Sequence, residues 1–311
     1  MRWPSALLRN SRIGKYRKCS QLLMAYWELA PWWERLCLLA YCGLGTYVAE
    51  RLGVDTTEIW QRGESVVGDV FSASQLAPEE IAELLRTYVS LRLRKSPPLA
   101  FDAAQSLVYN QAFYPLVQHL NFALQPSAAA RMDFVREVAD SVEQVRASVV
   151  DLGCGPGVML CRILKARPGW LGHGLDISPC AVEYGKRLAA LKGIASRVEF
   201  RVGDAARLPF SDQSADLLIA SEVLEHIPAI ESALGEIARV VRPGGRAVIT
   251  LPMETRAVMH IHSLKGEEYV AQLCERAGLD ILQLRTRRET FGYGDDPGHI
   301  FLAAALRGQG Y

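Results

Sequence analysis

The sequence predicts an α/β fold in which a mostly parallel sheet follows an all-helical region, and two observations predict it. From about residue 147 onward, short apolar runs alternate with stretches of helical period, a pattern typical of parallel strands joined by helices. Before that point the helical period dominates. The chain has 311 residues, of which 50% are hydrophobic and 22% are charged, so it has enough apolar material for a folded core.

The helical region is expected to form two units. The sequence of residues 1–100 predicts a helical domain that serves as a lid, a homodimer surface or both. Its longest apolar run, 36–49, would make a helix of about 21 Å, shorter than a hydrocarbon core of about 30 Å, so we expect a buried helix there rather than a membrane span. The second domain is predicted over 101–311 and begins with a helical lead-in at 101–146. We expect its helices at about 101–123 and 127–145, with Pro126 as a break and Ser127 as an N-cap.

The elements after residue 147 are predicted in alternating order. Strands are expected at 148–152, 171–176, 197–202, 216–220 and 246–251, with helices at about 157–166, 179–192 and 229–241 between them. After a further helix at about 266–277, the runs 280–289 and 298–306 are separated only by a loop, which predicts an antiparallel pair closing the sheet. Ligands of such sheets bind at the C-terminal ends of the strands.

A glycine-rich turn follows the first strand. Asp151 is followed by Gly153, Gly155 and Gly157, and glycine lets a backbone turn tightly and approach a ligand closely. Dinucleotide enzymes also have such a turn, in the spacing G-x-G-x-x-G, but here the third glycine falls one place early. An acid immediately before the turn would repel a pyrophosphate and could accept hydrogen bonds from an ammonium group. These features favour an amino-acid-like cofactor.

The next strand ends also carry polar residues suited to a nucleoside. Asp176 ends the second strand, where a carboxylate can accept both hydroxyls of a ribose, although enzymes that bind nicotinamide cofactors share this feature. Ile177 could supply an apolar face to an adenine, and Asp204 at the third strand end could accept its amino group. The fourth strand runs into Ser-Glu-Val-Leu-Glu-His, and Arg-Pro-Gly-Gly at 242–245 is expected to make a tight turn into the fifth.

Five ordered motifs resemble one family. They are Asp-Leu-Gly-Cys-Gly-Pro-Gly at 151–157, Gly-Leu-Asp-Ile-Ser at 174–178, Gly-Asp-Ala at 203–205, Ser-Glu-Val-Leu-Glu-His at 221–226 and Arg-Pro-Gly-Gly at 242–245. In order and spacing they are similar to those of class I S-adenosylmethionine-dependent methyltransferases, over roughly 105–306. The resemblance implies a seven-stranded Rossmann-like sheet with an antiparallel last strand.

The same resemblance implies the contacts of the cofactor S-adenosylmethionine. Its methionine part would be held by Asp151 and by the turn Gly153, Cys154 and Gly155, and its ribose by Asp176. Its adenine would be surrounded by Ile177, Asp204 and Ala205, while Ser221 and Glu222 would lie near the sulfonium. In such enzymes an aromatic helix ahead of the first strand often covers the cofactor, and Tyr109 is the predicted carboxylate contact from that helix.

Three residues are candidates for catalysis or acceptor binding. Methyl transfer from a sulfonium needs alignment of the nucleophile and exclusion of water, and a base only where the acceptor loses a proton. His226 follows the fourth strand, while Tyr293 and His299 belong to the loop before the last strand. For each of them a purely structural role is the alternative. His260 and His262 have no acid or cysteine at metal-ligand spacing, so we expect no metal.

The predicted function is methyl transfer to a small-molecule acceptor in the cytoplasm. A net charge of +1 gives no electrostatic support for nucleic acid or an anionic membrane as partner, and scattered cysteines without a CxxC pair are typical of free thiols in a reducing compartment. The alternatives left open are a methyltransferase acting on protein or RNA, a nicotinamide-dependent oxidoreductase, and a cofactor-binding partner without catalysis.

Overall fold

The computed structural model describes residues 69–70, 72–76, 80, 108–124, 126–253, 261–262, 266–287 and 299–307. These residues cover most of the predicted α/β unit and most of its helical lead-in. Most of the predicted helical domain at 1–100, with its proposed lid and dimer surface, lies outside them. So do Tyr293 and His260.

The described elements alternate as the sequence predicts. Two lead-in helices come first, α1 (Phe113–Leu124) and α2 (Pro126–Asp140). The alternating part then runs β1 (Ser148–Leu152), α3 (Val158–Ala166), β2 (Leu171–Asp176), α4 (Pro179–Leu191), β3 (Val198–Val202), β4 (Ala215–Ser221), α5 (Ile230–Val240), β5 (Val241–Pro252), α6 (Glu267–Arg276), β6 (Leu279–Arg287) and β7 (His299–Leu306). Short 3₁₀ turns lie at Ala195–Arg197 and Leu224–His226.

The strands form one seven-stranded sheet in the order β3-β2-β1-β4-β5-β7-β6. The first five strands are parallel, whereas β7 is antiparallel to both β5 and β6. The predicted Rossmann-like methyltransferase sheet with an antiparallel last strand is therefore confirmed. The order reverses between β1 and β4, so a crevice opens at the C-terminal ends of these two strands.

Three boundaries differ from the prediction. Pro126 lies between two helices as predicted, but it is itself the first residue of α2, because the first turn of a helix does not use the N–H that proline lacks; Ser127 is therefore inside the helix and not its N-cap. That helix ends at Asp140 rather than near 145. The Arg-Pro-Gly-Gly segment lies inside β5 instead of before it: Ala215 pairs with Val241 and Leu217 with Arg246, so residues 242–245 bulge out of the ladder.

Two apolar clusters cover the two faces of the sheet. One packs α1 to α4 against one set of alternating strand residues, and the other packs α5 and α6 against the opposite set. Val70 and Ala73, from before the lead-in, are buried in the first cluster, and Asp69 pairs with Lys192 at 2.5 Å. These residues therefore pack onto the α/β unit. Within the described residues, no helix combines the length and apolarity needed to cross a membrane.

Candidate active site

A cleft at the C-terminal edge of the sheet brings together the residues predicted to bind the cofactor. It encloses about 1130 Å³ of space, part of it open to solvent. Its lining includes Tyr109, Asp151, Gly153, Cys154, Gly155, Asp176, Ile177, Asp204, Ala205, Ser221, Glu222 and His226. All eleven predicted cofactor-binding residues thus border one space. Their individual contacts with a cofactor stay predictions.

The glycine turn has a conformation that side chains would disturb. Gly153, Gly155 and Gly157 have φ values of +64°, +52° and +72°, in the left-handed region that favours glycine. A Cβ on Gly153 would lie 2.7 Å from Cβ of Val223 and closer still to its Cγ2. At Gly155 the nearest atom would be 4.0 Å away, so the main chain is open to the cleft there. The turn therefore presents bare backbone to a ligand.

Asp176 organises the floor of the cleft through main-chain hydrogen bonds. Its carboxylate accepts from the N–H of Gly155 at 2.7 Å and from the N–H of Ser178 at 2.9 Å. Ser178 in turn caps α4 by accepting from Ala181 N–H at 3.1 Å. At the next strand end, Asp204 accepts from Ala206 N–H at 2.8 Å. Glycine turn and acidic strand end are thus held in register by the carboxylate predicted to bind the ribose.

Two buried carboxyl groups lie close together in this half of the cleft. Burial, and then the charge of Asp176, raises the pKa of Asp151 to about 8. Burial also raises the pKa of Asp176 to about 6, although the two main-chain hydrogen bonds act to lower it. Neither carboxyl has a cationic partner among the described residues. A ligand ammonium beside Asp151 would relieve the penalty at that carboxyl, and ribose hydroxyls could bond to Asp176, so the two acceptors fit S-adenosylmethionine.

The lead-in supplies the aromatic side of the cleft. Tyr109 is 5% exposed, and its hydroxyl is buried without a hydrogen-bond partner in the described structure. Its ring meets Tyr114 and His226 edge-on, with centroid distances of 5.3 Å and 6.1 Å, and its carbonyl oxygen accepts a short hydrogen bond from Ser178 Oγ. The orphaned hydroxyl is consistent with the predicted carboxylate contact, which remains a prediction. Gln118 and Phe122 of α1 also line the cleft.

A different kind of polar cluster forms the far end of the cleft, beside β4. Glu222 accepts from Thr250 Oγ1 at 3.1 Å and lies 3.6 Å from Arg131 Nη1 and 3.3 Å from His299 Nε2. Its φ is +55°, unusual for a residue with a side chain, and its N–H donates to the Thr250 carbonyl at 2.9 Å. Burial acts to raise the pKa of Glu222, but Arg131 and His299 outweigh it and lower the pKa.

A second carboxyl beside this cluster has the opposite behaviour. Glu225 is 1% exposed, and burial together with the charge of Glu222 raises its pKa well above the ordinary value. Its Oε1 lies 3.6 Å from His226 Nε2, while its Oε2 has no hydrogen-bond partner in the described structure. The pKa values of the two glutamates are thus shifted in opposite directions. The shift favours the ionised form of Glu222 and the protonated form of Glu225.

The candidates for catalysis are placed differently from one another. His226 lies on the cleft wall as predicted, whereas His299 begins β7 and contacts Glu222 behind that wall. His262 bonds the Ile227 carbonyl at 2.8 Å, a structural role. No group of three or more His, Cys, Asp or Glu suited to a metal occurs within the described ranges. Sequence reasoning missed Arg131, Thr250 and Glu225, because nothing local marks residues that meet only through the fold.

Comparisons with known proteins agree with this geometry. A family profile described as a methyltransferase domain matches residues 144–292. A probable tocopherol O-methyltransferase, chloroplastic, of Oryza sativa subsp. japonica is 38% identical over 131 residues, which is 42% of this chain and 36% of the relative. The norajmaline N-methyltransferase of Rauvolfia serpentina is 28% identical over 179 residues, 56% of this chain and 61% of the relative. The chain therefore spans less than two thirds of these relatives.

Solved structures share the fold. The crystal structure of the [4+2]-cyclase SpnF superposes with a TM-score of 0.51 at 21% identity, covering 60% of this chain and 83% of that one. A geranyl diphosphate C-methyltransferase from Streptomyces coelicolor A3(2) gives 0.50 at 16% identity, covering 61% and 83%. At these identities the likeness shows the fold alone.

Proposed function

We propose that residues 144–292, which match a methyltransferase-domain profile, form a class I S-adenosylmethionine-dependent methyltransferase domain, and that the chain transfers a methyl group to a small-molecule acceptor. One observation carries the proposal. Residues from four of the five motifs, at the ends of β1, β2, β3 and β4, border a single cleft, and the buried carboxyl of Asp151 fits the ammonium of an amino-acid-like cofactor.

The chain's own residues would position the cofactor rather than react with it. Asp151 would accept hydrogen bonds from the ammonium, and the bare backbone at Gly155 would allow close approach. Asp176 would exchange part of its main-chain bonding for the ribose hydroxyls. The bound cofactor supplies an activated methyl group on a sulfonium. The main task left to the protein is to align the acceptor in line with the methyl–sulfur bond and to exclude water.

The aromatic lead-in supports a small acceptor. Tyr109, Tyr114 and Phe122 wall the cleft on the side away from the strands, which suits enclosure of an organic molecule. The net charge of +1 gives no electrostatic support for a polyanionic substrate. Protein and RNA acceptors are the rival proposal, and a nicotinamide-dependent oxidoreductase is a remote one. Homodimerisation and a cytoplasmic location also stay predictions.

Calorimetry tests the cofactor half of this proposal. S-adenosylhomocysteine should bind the full chain, whereas NADH should not. Absence of S-adenosylhomocysteine binding at millimolar concentration would refute the proposal, and stabilisation by NADH alone would favour the oxidoreductase. The fold is shared with a cyclase, so binding has to be followed by a transfer assay. Labelled S-adenosylmethionine should pass its methyl group to a component of a small-molecule extract, and label recovered in protein or RNA would favour the rival acceptors.

A further inference from the structure

The far end of the cleft holds Glu222, which the family resemblance places near the sulfonium but does not assign to the amino-acid, ribose or adenine part of the cofactor. We propose that Glu222 is the counter-ion of the methyl acceptor, and that this acceptor is an amine methylated on nitrogen. The inference rests on the proposed function and adds the chemical class of the acceptor.

Four elements of the fold converge to hold this carboxylate. Arg131 reaches it from α2, Thr250 from β5 and His299 from β7, while Glu222 itself follows β4. The left-handed backbone at Glu222 is a strained conformation for a residue with a side chain and persists only where the surroundings enforce it. Glu222 thus has a strained backbone on the cleft wall and three polar side-chain partners. The fold therefore holds its carboxylate in a fixed position.

The pair formed with Glu225 shows which carboxyl carries the charge. Glu222 has three polar partners, whereas Oε2 of Glu225 has none in the described structure. Arg131 and His299 lower the pKa of Glu222, whereas burial and the charge of Glu222 raise the pKa of Glu225, so ionisation is favoured at Glu222. Because Glu225 does not line the cleft, an incoming acceptor meets the ionised carboxylate and not the neutral one.

The charges on the cleft wall select among acceptor classes. Among the described lining residues, Arg131 is the single Lys or Arg, and the acids are Asp151, Asp176, Asp204 and Glu222. A carboxylate or diphosphate acceptor would bring a further negative charge into this environment. An ammonium would pair with Glu222, and Tyr109, Tyr114 and His226 line the same cleft.

The transfer step also places positive charge beside Glu222. The amine enters as an ammonium and first loses one proton to solvent water. Its nitrogen lone pair then forms the bond to the methyl carbon, while the electron pair of the carbon–sulfur bond passes to sulfur. The positive charge leaves the sulfonium and reappears on nitrogen. A fixed carboxylate on the acceptor side stabilises that charge as it develops.

Three probes of similar size and different charge test the proposal without knowledge of the natural acceptor. Benzylamine (protonated at neutral pH), benzyl alcohol and benzoate are titrated by calorimetry into protein saturated with S-adenosylhomocysteine. We expect benzylammonium to bind about tenfold more tightly than benzyl alcohol, as a hydrogen bond to a charged group allows, and benzoate to bind most weakly. Glu222→Gln should abolish this preference, whereas Glu231→Gln, an exposed glutamate on α5, should retain it.

Two variants at His299 separate positioning from simple loss of structure. His299→Gln keeps an N–H that can donate to Glu222 and should retain most of the preference for benzylammonium. His299→Leu removes the donor and should reduce that preference about threefold or more. Equal binding of all three probes, tighter binding of benzoate, or binding of none at millimolar concentration would overturn the inference while leaving the proposed function in place. Failure of S-adenosylhomocysteine itself to bind would overturn both.

Discussion

The two ends of the cleft are built on different principles. We call the half around Asp151 and Asp176 the cofactor end, and the half around Glu222 beside β4 the acceptor end. At the cofactor end, the side chain of Asp176 bonds to main-chain N–H groups of residues near it in the fold, and the buried carboxyls have no cationic partners in the described structure. At the acceptor end, Glu222 is satisfied by the side chains of Arg131, Thr250 and His299. The first arrangement depends on backbone conformation and leaves charge for a ligand to neutralise. The second arrangement balances charge between side chains, so the residues that form it can vary with the acceptor.

The largest effect is expected where backbone conformation is essential. Gly153→Ala combines a left-handed φ with an overlap against Val223, so we expect a loss of about 3 kcal/mol in the free energy of unfolding and loss of S-adenosylhomocysteine binding. Gly193→Ala is the matched control, because its φ is +69° and no atom lies within 4 Å of the added Cβ. It should cost only about 1 kcal/mol. Urea unfolding measures both, and equal losses would show that the overlap is relieved.

A smaller but specific effect is expected at the ribose carboxylate. Asp176→Ala removes the acceptor for Gly155 and Ser178 N–H and should weaken S-adenosylhomocysteine binding by about 1–3 kcal/mol. Asp204→Ala, where the side chain is exposed and bonded to one N–H, should weaken it less. Calorimetry of the two variants compares them directly. Unchanged affinity in Asp176→Ala would count against the assigned ribose contact.

The pH dependence of binding should distinguish the two ends. Asp151 has its pKa raised to about 8 in the folded protein, and a ligand ammonium pairs with its ionised form. Affinity for S-adenosylhomocysteine should therefore rise with pH, by up to about tenfold per unit below that pKa. Calorimetry in buffers of different ionisation enthalpy would detect the released proton. An affinity that stays flat between about pH 6 and about pH 7.5 would contradict the assignment.

The raised pKa of Asp151 affects the stability of the fold in the opposite direction to cofactor binding: as the pH rises, stability falls. Folded Asp151 binds a proton that the unfolded chain has released above its ordinary pKa of 3.8, so its contribution opposes folding increasingly as the pH rises from that value towards 8. Asp151→Asn removes the ionisable group. It should unfold at a higher temperature than the wild type at pH 8 while binding the cofactor poorly. A lower Tm at that pH would indicate that the carboxylate is stabilised by groups outside the described residues.

The smallest effect is expected for an ion pair outside the cleft. Arg285 makes two hydrogen bonds to Glu137 at 2.7 Å and 2.8 Å, and both side chains are about half exposed. Arg285→Gln should change the free energy of unfolding by less than about 0.5 kcal/mol, with no change in S-adenosylhomocysteine affinity. Urea unfolding and calorimetry check the two parts. A large loss would mean that water does not screen this pair.

The contrast between the two ends also explains what the sequence could predict. The cofactor end consists of short motifs in which a strand, an acid and a turn are adjacent in the chain, so Asp151, Gly153 and Asp176 could be recognised locally. The acceptor end joins Arg131, Glu222 and His299, which are distant in sequence and meet only because β4, β5 and β7 are neighbours. His299 was singled out, but not its contact with Glu222. Arg131 was missed because a guanidinium on a helix is ordinarily solvated.

The class of sheet was predicted from local pattern. Alternation of strands and helices predicts a parallel sheet with right-handed connections, two strands without an intervening helix predict an antiparallel pair, and the number of strands was implied by the family resemblance. The bulge at 242–245 was misplaced because a Pro-Gly-Gly turn and a bulge within a strand have the same local composition. The helical region at 1–100 carries no such constraint in its sequence.

The strand order β5-β7-β6 has a consequence for how the chain matures. β6 is synthesised before β7 but pairs only with it, and Phe134 of α2 packs edge-on against Phe301 of β7 at 5.5 Å. While the chain emerges from the ribosome, β6 therefore has no neighbour to pair with, and the lead-in helix lacks part of its final packing. Pairing of β7 completes the described sheet and brings Phe301 to Phe134 and His299 to Glu222, so this end of the cleft cannot be complete before β7 has been synthesised.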